Sequence, residues 1–154
     1  KVDREKFDKV LAKLKIAGHF DVKKIKNKTV VFDVAHTPAS MKNFVSLLRK
    51  KFPKKKFVFL VALMKDKDLK GILKLVAGVA ERVFFSHVHP LRGELPKNLA
   101  KIIRAFDLKE IYSIEESAEA FEKGLSSLKK DEILVVTGSH FLIGSLYRNF
   151  QLNP

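Results

Sequence analysis

Phe57-Val58-Phe59-Leu60-Val61-Ala62 is an unbroken apolar run, and it restricts the fold more than any other segment of the chain. A strand wetted on one face alternates apolar and polar side chains, whereas a short run without alternation fits a strand covered on both faces. Such a strand needs helices above and below its sheet. The rest of the sequence supplies them, because β-branched and apolar segments alternate with segments whose apolar residues recur every three or four positions. Met41, Phe44, Val45, Leu47, Leu48 and Phe52 make one helical stripe, begun by Thr37 as a cap with Pro38 behind it and ended by Pro53. Leu69, Ile72, Leu73, Leu75, Val76 and Val79 make another, and helices are expected over Leu99–Phe106, Ser117–Leu128 and Phe141–Phe150. Strands are expected over Arg82–Ser86, Glu110–Ile114 and Ile133–Thr137, with a loop from His87 to Pro96.

The amino-terminal part departs from this alternation. Val2, Phe7, Val10, Leu11 and Leu14 predict an amphipathic helix that Gly18 ends. Phe20–Ile25 and Thr29–Asp33 then follow one another as a hairpin through Lys26-Asn27-Lys28, a turn without glycine whose type the sequence leaves open. Strands joined by helices form βαβ units with right-handed crossovers, which bring all their carboxyl ends to one edge. The expected fold is an α/β, Rossmann-like three-layer domain with a mostly parallel sheet and an antiparallel N-terminal edge strand.

That shared edge is where open α/β sheets bind ligands. The loops expected there carry Asp33 and His36, then Met64-Lys65-Asp66-Lys67-Asp68, then Ser86 to Glu94, then Thr137-Gly138-Ser139-His140. Taken singly each has a plain use: Asp33 as a strand-end cap, Asp66 or Asp68 as a helix cap, Gly138 for conformational freedom. Their convergence on one edge marks the candidate site.

Charge narrows the partners. With 31 Lys and Arg against 17 Asp and Glu, the formal charge of +14 favours an anion: a nucleotide, a poly-acidic substrate, a partner domain or nucleic acid. Arg49-Lys50-Lys51 and Lys54-Lys55-Lys56 form the densest basic patch, but it falls at a helix end before a strand's amino end, opposite the candidate site, without the interleaved exposed aromatics of single-strand binders. A solvated surface is the expected reading, and nucleic acid is not an expected partner. The absence of Cys excludes a disulfide framework, a thiolate metal site and a Cys nucleophile. No apolar run reaches the roughly 18 residues of a spanning helix, so no membrane partner is expected and a cytoplasmic location is.

The motifs resemble those of the C-terminal domain of folylpolyglutamate synthase and dihydrofolate synthase, a branch of the Mur ligase superfamily. Members carry D-G-A-H-N-P where this chain has Asp33-Val34-Ala35-His36-Thr37-Pro38, a D-K-D segment at Asp66-Lys67-Asp68, and a T-G-S turn at Thr137-Gly138-Ser139. The A-H-T-P form also occurs in the Mur ligases of cell-wall peptide synthesis. Their neighbouring segments, typically G-G-D-R-D and G-K-G-H-E, differ from Leu63 to Asp68 and Thr137 to His140 here, so the folate branch fits better and the cell-wall branch stands as the alternative. The resemblance implies the fold of a Mur ligase C-terminal domain over residues 18–154, with residues 1–17 as a linker helix from an N-terminal ATPase domain. It implies ATP-dependent amide formation, in which ATP and Mg²⁺ activate a carboxylate of folate or dihydropteroate and the amino group of L-glutamate attacks. The P-loop, the Mg²⁺ ligands and most of the pterin pocket belong to the N-terminal domain in that family, and no G-x-x-x-x-G-K-[ST] run occurs in this chain. By the same resemblance, Asp33 accepts from the ribose or adenine side of ATP, and His36 donates toward the phosphates as the catalytic residue. Lys65 or Lys67, with Ser139 and His140, holds the carboxylates of the amino acid or γ-glutamyl tail. The family's P-G-R appears as Ala17-Gly18-His19, which leaves His19, a weaker cation, in the position of an arginine that meets ATP.

Overall fold

The computed structural model describes residues 18–153; the expected helix over Val2–Leu14, and with it the linker reading of residues 1–17, lies outside the described residues. Strands β1 (Asp21–Ile25), β2 (Lys28–Asp33), β3 (Lys56–Val61), β4 (Ala80–Phe85), β5 (Glu110–Ser113) and β6 (Glu132–Thr137) alternate, after the first two, with helices α1 (Pro38–Lys51), α2 (Leu69–Ala77), α3 (Pro96–Arg104), α4 (Ser117–Ser126) and α5 (His140–Asn149). They form one 6-stranded sheet in the order β1-β2-β6-β3-β4-β5. The β1–β2 pair is antiparallel and the other neighbours are parallel, the mixed three-layer arrangement that the alternation and the hairpin predict.

The apolar run of β3 shows why both faces are needed. Phe57, Phe59 and Val61 point into a layer with Met41, Phe44 and Leu48 of α1, Ile72 and Val76 of α2, and Leu99 and Ile103 of α3. Val58 and Leu60, one residue out of phase, enter the opposite layer with Phe121 and Leu125 of α4 and Leu142 and Leu146 of α5. Period-two alternation therefore divides one strand between two cores. At the amino end of the sheet a buried ion pair ties β4 to β6. Arg82 donates from Nη1 and Nη2 to the two Glu132 carboxylate oxygens at 2.9 and 2.7 Å, and Nη2 also reaches the Ser127 carbonyl at 2.6 Å.

Most boundaries fall within about two residues of expectation, and three of the differences have a local reason. Lys26 and Asn27 both take positive φ, 48° and 62°, so they are the central pair of a two-residue hairpin turn of the I′ kind and Lys28 already belongs to β2. Phe20 has φ 45°, which turns the chain before β1 and delays that strand to Asp21. Helix α3 begins at Pro96, three residues before the expected start, because proline fits a first helical position where no N–H is required.

Candidate functional site

Register places the site. Asp33 pairs with Thr137, Thr137 with Val61, Val61 with Phe85, and Phe85 with Ser113, so five strands end in one row across the sheet. The loops leaving this row lie side by side. Residues Ala62 to Asp68 and Ser86 to Leu95 are stitched together: Met64 and Gly93 form an isolated antiparallel bridge, Lys65 N donates to the Arg92 carbonyl at 2.9 Å, and Glu94 N donates to the Leu63 carbonyl at 2.8 Å. On the other side, Gly138 at φ 104° turns the chain from β6 into α5 so tightly that a Cβ there would lie 2.5 Å from the Ala62 carbonyl oxygen.

Between these loops opens a cleft of about 160 Å³ lined by His36, Met64, Lys67, Arg92, Gly138, Ser139, His140 and Phe141. His36 stands at the start of α1, where Thr37 and Ser40 form a reciprocal cap and Ser40 Oγ also accepts from His36 N at 3.2 Å. Its Nδ1 donates to the Val34 carbonyl at 2.7 Å, which leaves Nε2 as the ring's remaining hydrogen-bonding atom. The His36 and His140 rings lie 5.7 Å apart. Ser139 is buried as the cap of α5, with Oγ accepting from Phe141 N at 3.1 Å. Lys67 is half-buried and pairs with Asp66 at 3.3 Å, while Asp68 caps α2 by accepting from Gly71 N at 2.9 Å.

The expected site residues are thus sorted. The cleft gathers His36, Lys67, Ser139 and His140. Lys65 lies in an adjoining hollow with Asp66 and Leu91, its Nζ donating to the Leu91 carbonyl at 3.2 Å. Asp33 sits on the same edge but outside the cleft lining, with its carboxylate engaged in the fold: Oδ2 accepts from Phe20 N at 2.8 Å and Oδ1 from Ala35 N at 2.9 Å. Burial pushes its carboxyl above the ordinary value of 3.8, against the opposing pull of those two amides and of the His19 charge. His19 itself is exposed.

Arg92 was not legible as a site residue. It lies in a loop of the expected length, but contacts with a distant segment, the Met64–Gly93 bridge and the Lys65 N–Arg92 carbonyl bond, carry it to the cleft. Its guanidinium sits 5.7 Å from the centre of the exposed Phe141 ring, and among the described residues it makes no ion pair. The one sequence signal was Leu91-Arg92-Gly93, an arginine beside a glycine in a strand-end loop. The cleft suits an anion. Among the described residues it has no Asp or Glu in its lining, and no group of three or more His, Cys, Asp or Glu side chains is arranged to hold a metal. The lysines and arginine from Arg49 to Lys56 lie on the opposite edge, where Arg49, Lys55 and Lys56 border a separate groove and Lys56 pairs with Glu81 at 3.7 Å. No helix among the described residues is long and apolar enough to cross a membrane.

A family model described as "Mur ligase, glutamate ligase domain" matches residues 20–140, and the chain belongs to that family. Among curated relatives, the UDP-N-acetylmuramoyl-L-alanyl-D-glutamate–2,6-diaminopimelate ligase of Rickettsia typhi is 30% identical over 142 residues, covering 86% of this chain and 28% of that protein. The enzyme of the same name from Rickettsia prowazekii is 32% identical, with coverages of 86% and 29%. Among solved structures, folylpolyglutamate synthase of Mycobacterium tuberculosis complexed with ADP and AMPPCP superposes with a TM-score of 0.85 at 22% identity, covering all of this chain and 36% of that one. The folylpolyglutamate synthase of Thermotoga maritima gives a TM-score of 0.79 at 26% identity, with coverages of 99% and 34%. The chain therefore spans 28–29% of the length of these curated relatives and 34–36% of the solved chains.

Proposed function

We propose that the chain is the C-terminal lobe of a cytoplasmic ATP-dependent ligase that joins L-glutamate to folate or dihydropteroate. In this reading it closes over ATP held by an N-terminal ATPase unit and binds the incoming glutamate. The supporting observation is the cleft itself, which presents His36, Lys67, Arg92 and His140 with no carboxylate in its lining among the described residues. Glutamate brings two carboxylates, and ATP brings phosphates. Arginine meets either group with paired donors, and lysine meets it as a point charge. With Nδ1 committed to Val34, His36 has Nε2 free to hold a proton toward an anion or to take one from the attacking amino group. Ser139 fixes the first turn of α5, whose amino end adds partial positive charge. ATP supplies the phosphoryl group that activates the acid. The residues around the cleft fit its anionic portion, and Mg²⁺ would be held by the ATPase unit.

The sequence relatives favour a second reading, the addition of diaminopimelate to a cell-wall peptide precursor. That amino acid carries a second ammonium group, which needs a carboxylate partner in the cleft. The acid of the adjoining hollow, Asp66, is already paired with Lys67 at 3.3 Å. Glutamate therefore fits better. Amide formation by the ligase that carries this chain decides the matter. ATP-dependent product is expected from L-glutamate with dihydropteroate or a reduced folate. Product only from diaminopimelate and a UDP-N-acetylmuramoyl dipeptide would overturn the folate reading.

A further inference from the structure

The arginine of the cleft is delivered by a turn organised around one imidazole. Leu91 N and Arg92 N both donate to His89 Nδ1, at 3.3 and 3.1 Å, and Gly93 N donates to the His89 carbonyl at 2.9 Å. Three successive amides thus end on a single residue. An imidazole nitrogen that accepts two N–H bonds must carry a lone pair, so the ring is neutral with its proton on Nε2. Asn, Asp and Ser perform this service at helix caps and Asx turns, where one side-chain acceptor satisfies amides two and three residues on. The other side of the turn is closed as well. Lys65 N reaches the Arg92 carbonyl and Lys65 Nζ the Leu91 carbonyl, while a Cβ on Gly93 would lie 2.8 Å from the His89 carbonyl oxygen and 3.0 Å from His87 Nε2. Both side chains of the turn then meet Phe141: the His89 ring edge-on with centroids 5.3 Å apart, and the Arg92 guanidinium 5.7 Å from the ring centre.

We infer that His89 is a positioning residue: through Nδ1 it builds the turn that aims Arg92 into the cleft. Its consequence for catalysis rests on the proposed role of the cleft, whereas the turn itself does not. If any packed side chain served, alanine and asparagine at position 89 would behave alike. If the acceptor matters, asparagine restores what alanine loses. The test uses His89→Ala, His89→Asn, Arg92→Gln and the double variant His89→Ala/Arg92→Gln in the ligase carrying this chain, with amide exchange at Leu91 and Arg92 read by NMR on the 154-residue chain.

His89→Ala should raise KM for the acidic amino acid about tenfold with kcat held within about twofold, since the turn acts on binding. His89→Asn should return KM to within about threefold of wild type, and the double variant should be no worse than Arg92→Gln, because the two residues act as one unit. Additive losses in the double variant, or an asparagine variant as poor as alanine, would overturn the inference. An Arg92→Gln enzyme with unchanged KM would instead refute the cleft reading. In that event exchange decides for His89: protection of the Leu91 and Arg92 amides lost in alanine but kept in asparagine upholds the positioning role, and any other pattern refutes it.

Discussion

Asp33 and Glu132 are both acids held inside the fold, and they respond to pH with opposite signs. Both Asp33 oxygens accept backbone amides, from Phe20 and Ala35, so Asp33→Ala orphans two donors next to the bend at Phe20. The expected loss is about 1–2 kcal/mol in chemical denaturation, the scale of a lost cap. A purely ligand-binding aspartate would show no such loss. Because burial raises the Asp33 pKa above 3.8, this group contributes stability below its ordinary range that is lost as pH rises through the raised value. Glu132 behaves in reverse, since the Arg82 guanidinium holds its carboxyl below the ordinary 4.5. Its contribution is complete above that value and lost as pH falls through the lowered one. Glu132→Gln leaves the buried Arg82 without its counter-charge, at a cost of about 3 kcal/mol at neutral pH. Urea midpoints measured from neutral pH into acid should show the gap between Glu132→Gln and wild type closing at the acid end. A gap independent of pH would contradict the ion-pair account.

At the scale of elements, the turn between β6 and α5 is the point where fold and site depend on the same atoms. Gly138→Ala meets the Ala62 carbonyl at 2.5 Å and must also hold φ 104° with a side chain attached. Stability should drop by about 2 kcal/mol or more, and His140 should leave the His36 ring as the turn shifts. Thermal melts and the NMR shifts of the two imidazoles check both effects. The order of elements and their two-sided burial were legible because they follow from local periodicity: the run Phe57–Ala62 required covered faces, and Met41, Phe44 and Leu48 supplied one cover. The carboxyl edge was legible for the same reason, since topology alone brings His36, Lys67 and His140 to it. What the sequence did not disclose depends on partners far along the chain. Arg92 enters the cleft through Met64 and Gly93, Asp33 turns inward to the amide of Phe20, and Arg82 meets Glu132 across the intervening strand β3. Ile-rich or Val-rich stripes reveal none of these, because each is a polar contact between segments that no local period relates.

At the scale of the molecule, the cleft stands open on the carboxyl edge of the sheet, which suits half of a site completed by another unit. The 154-residue chain alone should therefore show no glutamate-dependent ATP hydrolysis, and a coupled assay giving turnover would defeat the two-lobe proposal. The strand order carries a different consequence. β6, the last described strand in sequence, lies between β2 and β3, pairing with β3 along its length and with β2 from Leu134 to Thr137. While the chain is being synthesised, the hairpin and the β3-β4-β5 block share no strand pairing, and each has an open edge of Val, Phe and Leu backbone. Their strands can join into one sheet only when residues 132–137 have left the ribosome. Nascent chains stalled short of this strand would expose two sticky edges to one another and to chaperones. A truncated messenger would yield a protein that has lost its middle.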